Sequence, residues 1–167
     1  REMFIPIGID AGAQVQIVNN TNRTSLSQGL QDLPISTSAN NSMAWLNSFD
    51  LEKCDLASTG ANTYFALEPG YQLVLEGHED GNPIQHTITV LNETKLVNGT
   101  ETRIVEEKTI EDGNLAEISN NYFAICGQTS DAFYFGEDTD FYENGKIISH
   151  NGSWKAGNDS ARAGMIM

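Results

Sequence analysis

The stretch YQLVLEGHEDGNPIQHTITV, residues 71–90, decides the fold. Tyr71, Leu73 and Leu75 alternate with Gln72 and Glu76, and Ile84, His86, Ile88 and Val90 alternate with Gln85, Thr87 and Thr89. A period of two is the signature of a half-buried β-strand, because successive side chains leave the pleat on opposite faces. Between the two runs, His78-Glu79-Asp80-Gly81-Asn82-Pro83 reads as a hairpin connection.

The same pattern repeats downstream. Asn98-Gly99, Asp112-Gly113 and Asn144-Gly145 mark three more reversals, since Gly and Asn/Asp take the positive φ of tight hairpin turns at low cost. The segments between them, Thr102–Ile110, Leu115–Cys126, Ala132–Phe135 and Lys146–His150, are rich in β-branched or aromatic residues. Strands joined by short loops predict an all-β antiparallel meander, because parallel neighbours need crossovers of about a dozen residues. The sheet is expected to form a curved sheet or partial barrel over one apolar face containing Phe123, Ile125, Phe133 and Phe135.

Residues 46–167 are assigned to this β domain. Residues 1–45, rich in Asn, Ser and Thr, read as an extended polar arm with short strands at Phe4–Ile9 and Val15–Val18. Pro6 would confine the first of these to a sheet edge, either of its own sheet or of a neighbour's in a homo-oligomer or surface assembly. The start at Arg1 suggests a processed or excised chain, and the close on Ala163-Gly164-Met165-Ile166-Met167, without a polar tail, suggests that the native chain continues.

Charge narrows the partners. With 23 acidic against 9 basic residues the net charge is -14, and no Lys/Arg cluster supplies the basic footprint that nucleic acid or an anionic membrane requires. The sequence holds no run of eighteen apolar residues, so no transmembrane helix is expected. The acidity suits solubility, cation accumulation, or a high-salt or cell-surface setting.

The strongest motif signal is Asn-x-Ser/Thr, present at Asn19, Asn22, Asn40, Asn92, Asn98, Asn151 and Asn158. The abundance of Asn, Ser and Thr accounts for about two such sites by chance, for a motif this short. The excess points to N-glycosylation and an extracellular or cell-surface location, against the alternative that a polar chain generates sequons freely. Asn92 and Asn98 flank Lys95–Val97 and are expected at strand ends and hairpin tips, where a glycan stands clear of the ladder. Cys54 and Cys126 fit the same compartment as a disulfide tying the polar region to the sheet, the alternative being two buried thiols.

No cofactor is expected. His78, His86 and His150 share no zinc-ligand spacing, and Cys126 lacks the nearby His and Met of a blue-copper site. The acidic run from Gly136 to Gly145 offers Glu137, Asp138, Asp140 and Glu143 as weak candidates for a divalent cation. It departs from the EF-hand template at Tyr142 and Glu143, and its competing reading is a solvated strand–turn–strand. Ser149 and His150 are adjacent and would point to opposite faces of a strand, so they form no nucleophile–base pair. Neither a G-x-S-x-G elbow nor a glycine-rich phosphate loop is present. Trp154 reads as a core or edge-covering residue in preference to a carbohydrate platform.

Asn47-Ser48-Phe49-Asp50, Asn62-Thr63-Tyr64-Phe65-Ala66-Leu67-Glu68-Pro69-Gly70-Tyr71 and Leu75-Glu76-Gly77 resemble the NPYFPLxPG…YEG opening of a family of uncharacterised secreted proteins and lipoproteins of bacteria and archaea. The resemblance continues through Tyr134-Phe135-Gly136-Glu137-Asp138, Tyr142-Glu143-Asn144-Gly145-Lys146 and Gly152-Ser153-Trp154-Lys155-Ala156-Gly157 to the end of the chain. Ala66 and Ala163 stand where prolines are usual. The resemblance implies an extracytoplasmic β-rich domain and no particular activity; sequons and acidity lean towards an archaeal cell-surface version. The expectation is therefore a non-catalytic extracellular or cell-envelope module, structural or binding, with an extracytoplasmic enzyme or small-ligand carrier as the alternative.

Overall fold

The computed structural model describes residues 14–19, 22–25 and 49–167, the first two segments as backbone strands only. Among the described residues eleven strands follow in chain order: β1 (Gln14–Asn19), β2 (Asn22–Ser25), β3 (Leu56–Ala57), β4 (Gln72–Glu79), β5 (Asn82–Val97), β6 (Thr100–Glu111), β7 (Asn114–Cys126), β8 (Ala132–Glu143), β9 (Lys146–Ser149), β10 (Trp154–Lys155) and β11 (Gly164–Met165). A 3-10 turn, Leu51–Lys53, precedes β3.

All the strands belong to one antiparallel sheet of order β10-β8-β7-β6-β5-β4-β1-β2, with β3 added to β7, and β9 and β11 added to β8. The sheet is open and curved and does not close into a barrel. The Val15–Val18 segment lies in β1, where Val15 pairs with Leu75 and Ile17 with Leu73. The Phe4–Ile9 segment lies outside the described residues.

The four long hairpins share one turn chemistry. Asp80-Gly81, Asn98-Gly99, Asp112-Gly113 and Asn144-Gly145 each place both residues at positive φ, from 46° to 51° at the first and 72° to 87° at the second. This is the two-residue turn whose twist matches that of the flanking strands. The connection at His78–Pro83 is thus tighter than the sequence suggests: only Asp80 and Gly81 turn, and Pro83 already lies in β5, paired with His78.

β5 is also longer than its pattern implies. Val90 pairs with Val105 and Thr94 with Arg103, so Leu91, Asn92 and Glu93 face Ile104 alone as a bulge. Leu91–Glu93 breaks the alternation without ending the strand. For that reason Asn92 sits inside a 16-residue strand and not at a strand end.

The hydrophobic core differs from the single apolar face expected. Phe123 and Ile125 pack with Leu67, Val90, Val105 and Ala132, supported by Phe65, Tyr71 and Ile166. Phe133 and Phe135 pack with Val97, Tyr122, Ala124, Cys126 and Ala156, supported by Leu51, Leu56, Trp154 and Met165. The two clusters lie on opposite faces, because Asn121–Cys126 of β7 is buried at every position and alternation divides it between them. The chain before β4 and the chain after β9 supply the covering layers. β3 takes the place beside Ile125 and Cys126 that β6 leaves vacant, since β6 pairs with β7 only as far as Arg103↔Phe123. Away from this end the sheet positions are mostly half-buried.

Candidate functional site

The acidic run of β8 is a strand, and its pleat separates the side chains that a cation loop would gather. Glu137 Oε2 accepts hydrogen bonds from Ser119 Oγ at 2.9 Å and from Thr139 Oγ1 at 3.2 Å. Asp138 points the other way, where Oδ2 accepts from the Tyr122 hydroxyl at 2.5 Å and Oδ1 pairs with the Lys155 ammonium. Asp140 Oδ1 lies 2.6 Å from His150 Nδ1, and Glu143 is exposed beside the Asn144-Gly145 turn. Among the described residues no three His, Cys, Asp or Glu side chains form a metal-holding group.

Asp138 is the centre of the best-defined polar cluster. Burial pushes its carboxyl up, but hydrogen bonds from Lys155 and Tyr122 and the charges of Lys155 and Lys95 outweigh that and hold it below the usual range. Tyr122 moves strongly upward, first because it is buried and then because its proton is committed to Asp138. Lys95 and Lys155 each stand 5.7 Å from the centre of the Tyr122 ring, a cation–π distance. The arrangement commits the tyrosine proton to Asp138 and moves both of these groups away from neutrality.

A second polar row lies on the opposite face. His86 Nδ1 is 2.9 Å from Thr109 Oγ1 and its Nε2 is 3.4 Å from Glu107 Oε2, while Glu117 and Glu137 follow on β7 and β8. An open cavity of about 570 Å³ at the hairpin tips is lined by Glu76, His78, Pro83, Ile84, Gln85 and Ile110.

Cys54 and Cys126 are joined in a disulfide with Cα atoms 5.0 Å apart and 72 positions apart in sequence. It anchors the approach to β3 on the end of β7. Asp55 reinforces the same junction: its amide donates to Gln128 Oε1 at 2.9 Å and Gln128 Nε2 donates to its carboxylate at 2.6 Å.

Asn92, Asn98, Asn151 and Asn158 are all exposed. Asn92 projects from the β5 bulge, and Asn98 occupies the β5–β6 turn. Asn151 and Asn158 lie on the connections around β10. Asn98 and Asn158 sit close together, since a Cβ placed on Gly157 would fall 2.6 Å from Asn98 Oδ1. Among the described residues Asn121 is a buried asparagine and is not in a sequon; it accepts from the Tyr134 hydroxyl at 2.7 Å. Asn19 ends β1 and Asn22 begins β2, where they pair with each other, and Asn40 lies outside the described residues.

Sequence reading missed Arg103, which is 7 % exposed. Its guanidinium donates to the carbonyls of Ser58 at 2.8 Å and Asn92 at 2.6 Å, stitching the covering chain to the bulge of β5. Only the register reveals this, because a charged residue in an alternating strand is ordinarily placed facing solvent. Trp154 stands at the sheet margin, its ring edge-on to Tyr134 at 5.3 Å. No helix of the described residues is long and apolar enough to cross a membrane. No family model, curated protein or solved structure matches the chain.

Proposed function

We propose that this chain is a non-catalytic β module of an extracellular or cell-envelope protein, N-glycosylated and serving a structural or binding role in a surface assembly. The observation that carries the reading is the exposure of Asn92, Asn98, Asn151 and Asn158, the sequon asparagines whose side chains are described: they stand in solvent at a bulge, a hairpin turn and two loops. The disulfide supports it, since such bonds persist in oxidising compartments. Chain acidity and a sheet that does not close on itself fit a module that meets neighbours through its surface. The archaeal lean rests on the density of sequons and acidic residues alone.

Glycopeptide analysis of natively purified protein tests the reading. Modification is expected at Asn92 or Asn98 and at two or more further sequons; wholly unmodified peptides overturn it.

The alternative, a small-ligand carrier or extracytoplasmic enzyme, draws on the half-buried row of His86, Glu107, Glu117 and Glu137 and on the cavity at the hairpin tips. A saturable small-molecule heat signal in calorimetry, lost on substituting His86 or Gln85, would favour it.

A further inference from the structure

In the half of the sheet away from the two cores, one face carries three acid groups on three adjacent strands. The register sets His86 of β5 opposite Thr109 of β6, Thr109 opposite Glu117 of β7, and Glu117 opposite Phe141 of β8. One pair further along, Glu107 stands opposite Ser119 and Ser119 opposite Thr139; Glu137 follows, opposite Asn121. Residues directly opposite one another share a face, as do residues two apart on a strand. Glu107, Glu117 and Glu137 therefore project from three adjacent strands to the same side, while Lys108, one residue from Glu107, points to the other.

The three carboxylates are not equivalent. Glu137 has two hydroxyl donors, Ser119 and Thr139. Glu107 faces the His86 imidazole at 3.4 Å. Glu117 sits half-buried between them, and the charged groups acting on it are Glu137 from β8, Glu107 and Glu111 from β6 and, with the opposite sign, His86 from β5.

We propose that Glu117 is a built-in acid sensor, taking up a proton as the medium turns acid and thereby tightening the β5–β8 part of the sheet. Ionised, it must be held in a partly dry strand surface beside two like charges on neighbouring strands. Protonated, it relieves both. Burial first, then the charges of Glu137 and Glu107, hold its carboxyl above the ordinary value near 4.5, with His86 opposing. The folded chain therefore binds this proton more readily than the unfolded chain does. The stabilisation is fully present below the unfolded value and is lost as pH rises through the folded one.

The test is the denaturant midpoint of the whole chain between pH 4 and 8, for wild type and Glu117→Gln. Glutamine keeps the neutral amide shape at every pH. The variant is expected to have the higher midpoint at pH 7, and the gap is expected to shrink as the pH falls towards 4.5. Parallel profiles, or a variant with the lower midpoint at pH 7, would overturn the proposal. Carbon-13 titration of the Glu117 carboxyl in the folded wild type provides a readout independent of the variant's folding. A midpoint above 4.5 supports the sensor, and one at or below 4.5 refutes it.

Discussion

Removing the Cys54–Cys126 bond should destabilise the domain through the unfolded chain more than through the folded one. The bond spans 72 positions. In the chain-entropy treatment a loop of that length is worth about 4 kcal/mol, because the open chain explores conformations that the closed one cannot. Native contacts at the junction are slender by comparison. β3 contributes two ladder pairs, Leu56↔Cys126 and Ala57↔Ile125, together with the Asp55–Gln128 hydrogen bonds. Cys54→Ala/Cys126→Ala is the suitable perturbation, since serine would leave a buried hydroxyl where Cys126 is 1 % exposed. Urea unfolding without reductant should show a loss of about 4 kcal/mol and a steeper denaturant dependence, the uncrosslinked unfolded chain exposing more surface. At about 2–4 °C per kcal/mol for a domain of this size, melting should fall by roughly 8–16 °C. A loss below about 1 kcal/mol would refute the reasoning, being no more than an ordinary single substitution costs. So would two reactive thiols in the unfolded, unreduced wild type.

The sequence disclosed the meander because its information is local. Alternation in 71–90 and the Asn-Gly and Asp-Gly pairs act within a few residues, and three of the four long hairpin turns were legible as dipeptides. The fourth, Asp80-Gly81, was obscured by Pro83, which reads as a loop residue yet is tolerated in the first positions of β5. What depends on register was not legible. Placing Phe123 and Ile125 on one face and Phe133 and Phe135 on the other requires the shift between Asn121 and Phe123, and Gly136 at φ 127° marks the irregularity on β8. Pairing of Asp138 with Asn120, two residues from Tyr122 on the same face, sets it within reach of the Tyr122 hydroxyl, while Arg103 turns inward to carbonyls that only the β5 bulge and the Ser58 segment present. The Cys54–Cys126 pairing and the place of Asn98 in a hairpin turn were legible as motifs, whereas the place of Asn92 within a bulge depends on register.

Two glycines should differ in what a methyl group costs. A Cβ on Gly136 would lie 2.2 Å from the Trp154 carbonyl oxygen and 2.7 Å from Lys155 Cα, backbone atoms fixed by the β8–β10 ladder, so Gly136→Ala should cost about 3 kcal/mol or more in thermal unfolding. On Gly157 the obstacle is the Asn98 side chain, which can swing aside, and Gly157→Ala should cost about 1–2 kcal/mol; equal losses would contradict the assigned contacts. The Asp138 cluster should give a pH response opposite to that of Glu117. Its carboxyl is held below the usual value near 3.8, so the folded chain releases this proton more readily than the unfolded chain. The resulting stability is present above the unfolded value and disappears as pH falls through the folded one. Lys155→Met removes one of the two donors while Tyr122 keeps the other. Because the pair is partly exposed, the loss should be about 1 kcal/mol at pH 7. Wild type and variant should converge once the pH has fallen through the depressed value of the folded carboxyl, where it is protonated in both folded states. A deficit that stayed constant from pH 7 to below the carbon-13 titration midpoint of the folded Asp138 carboxyl would mean that Lys155 acts through packing of its methylene chain, and the ion pair would then hold nothing together.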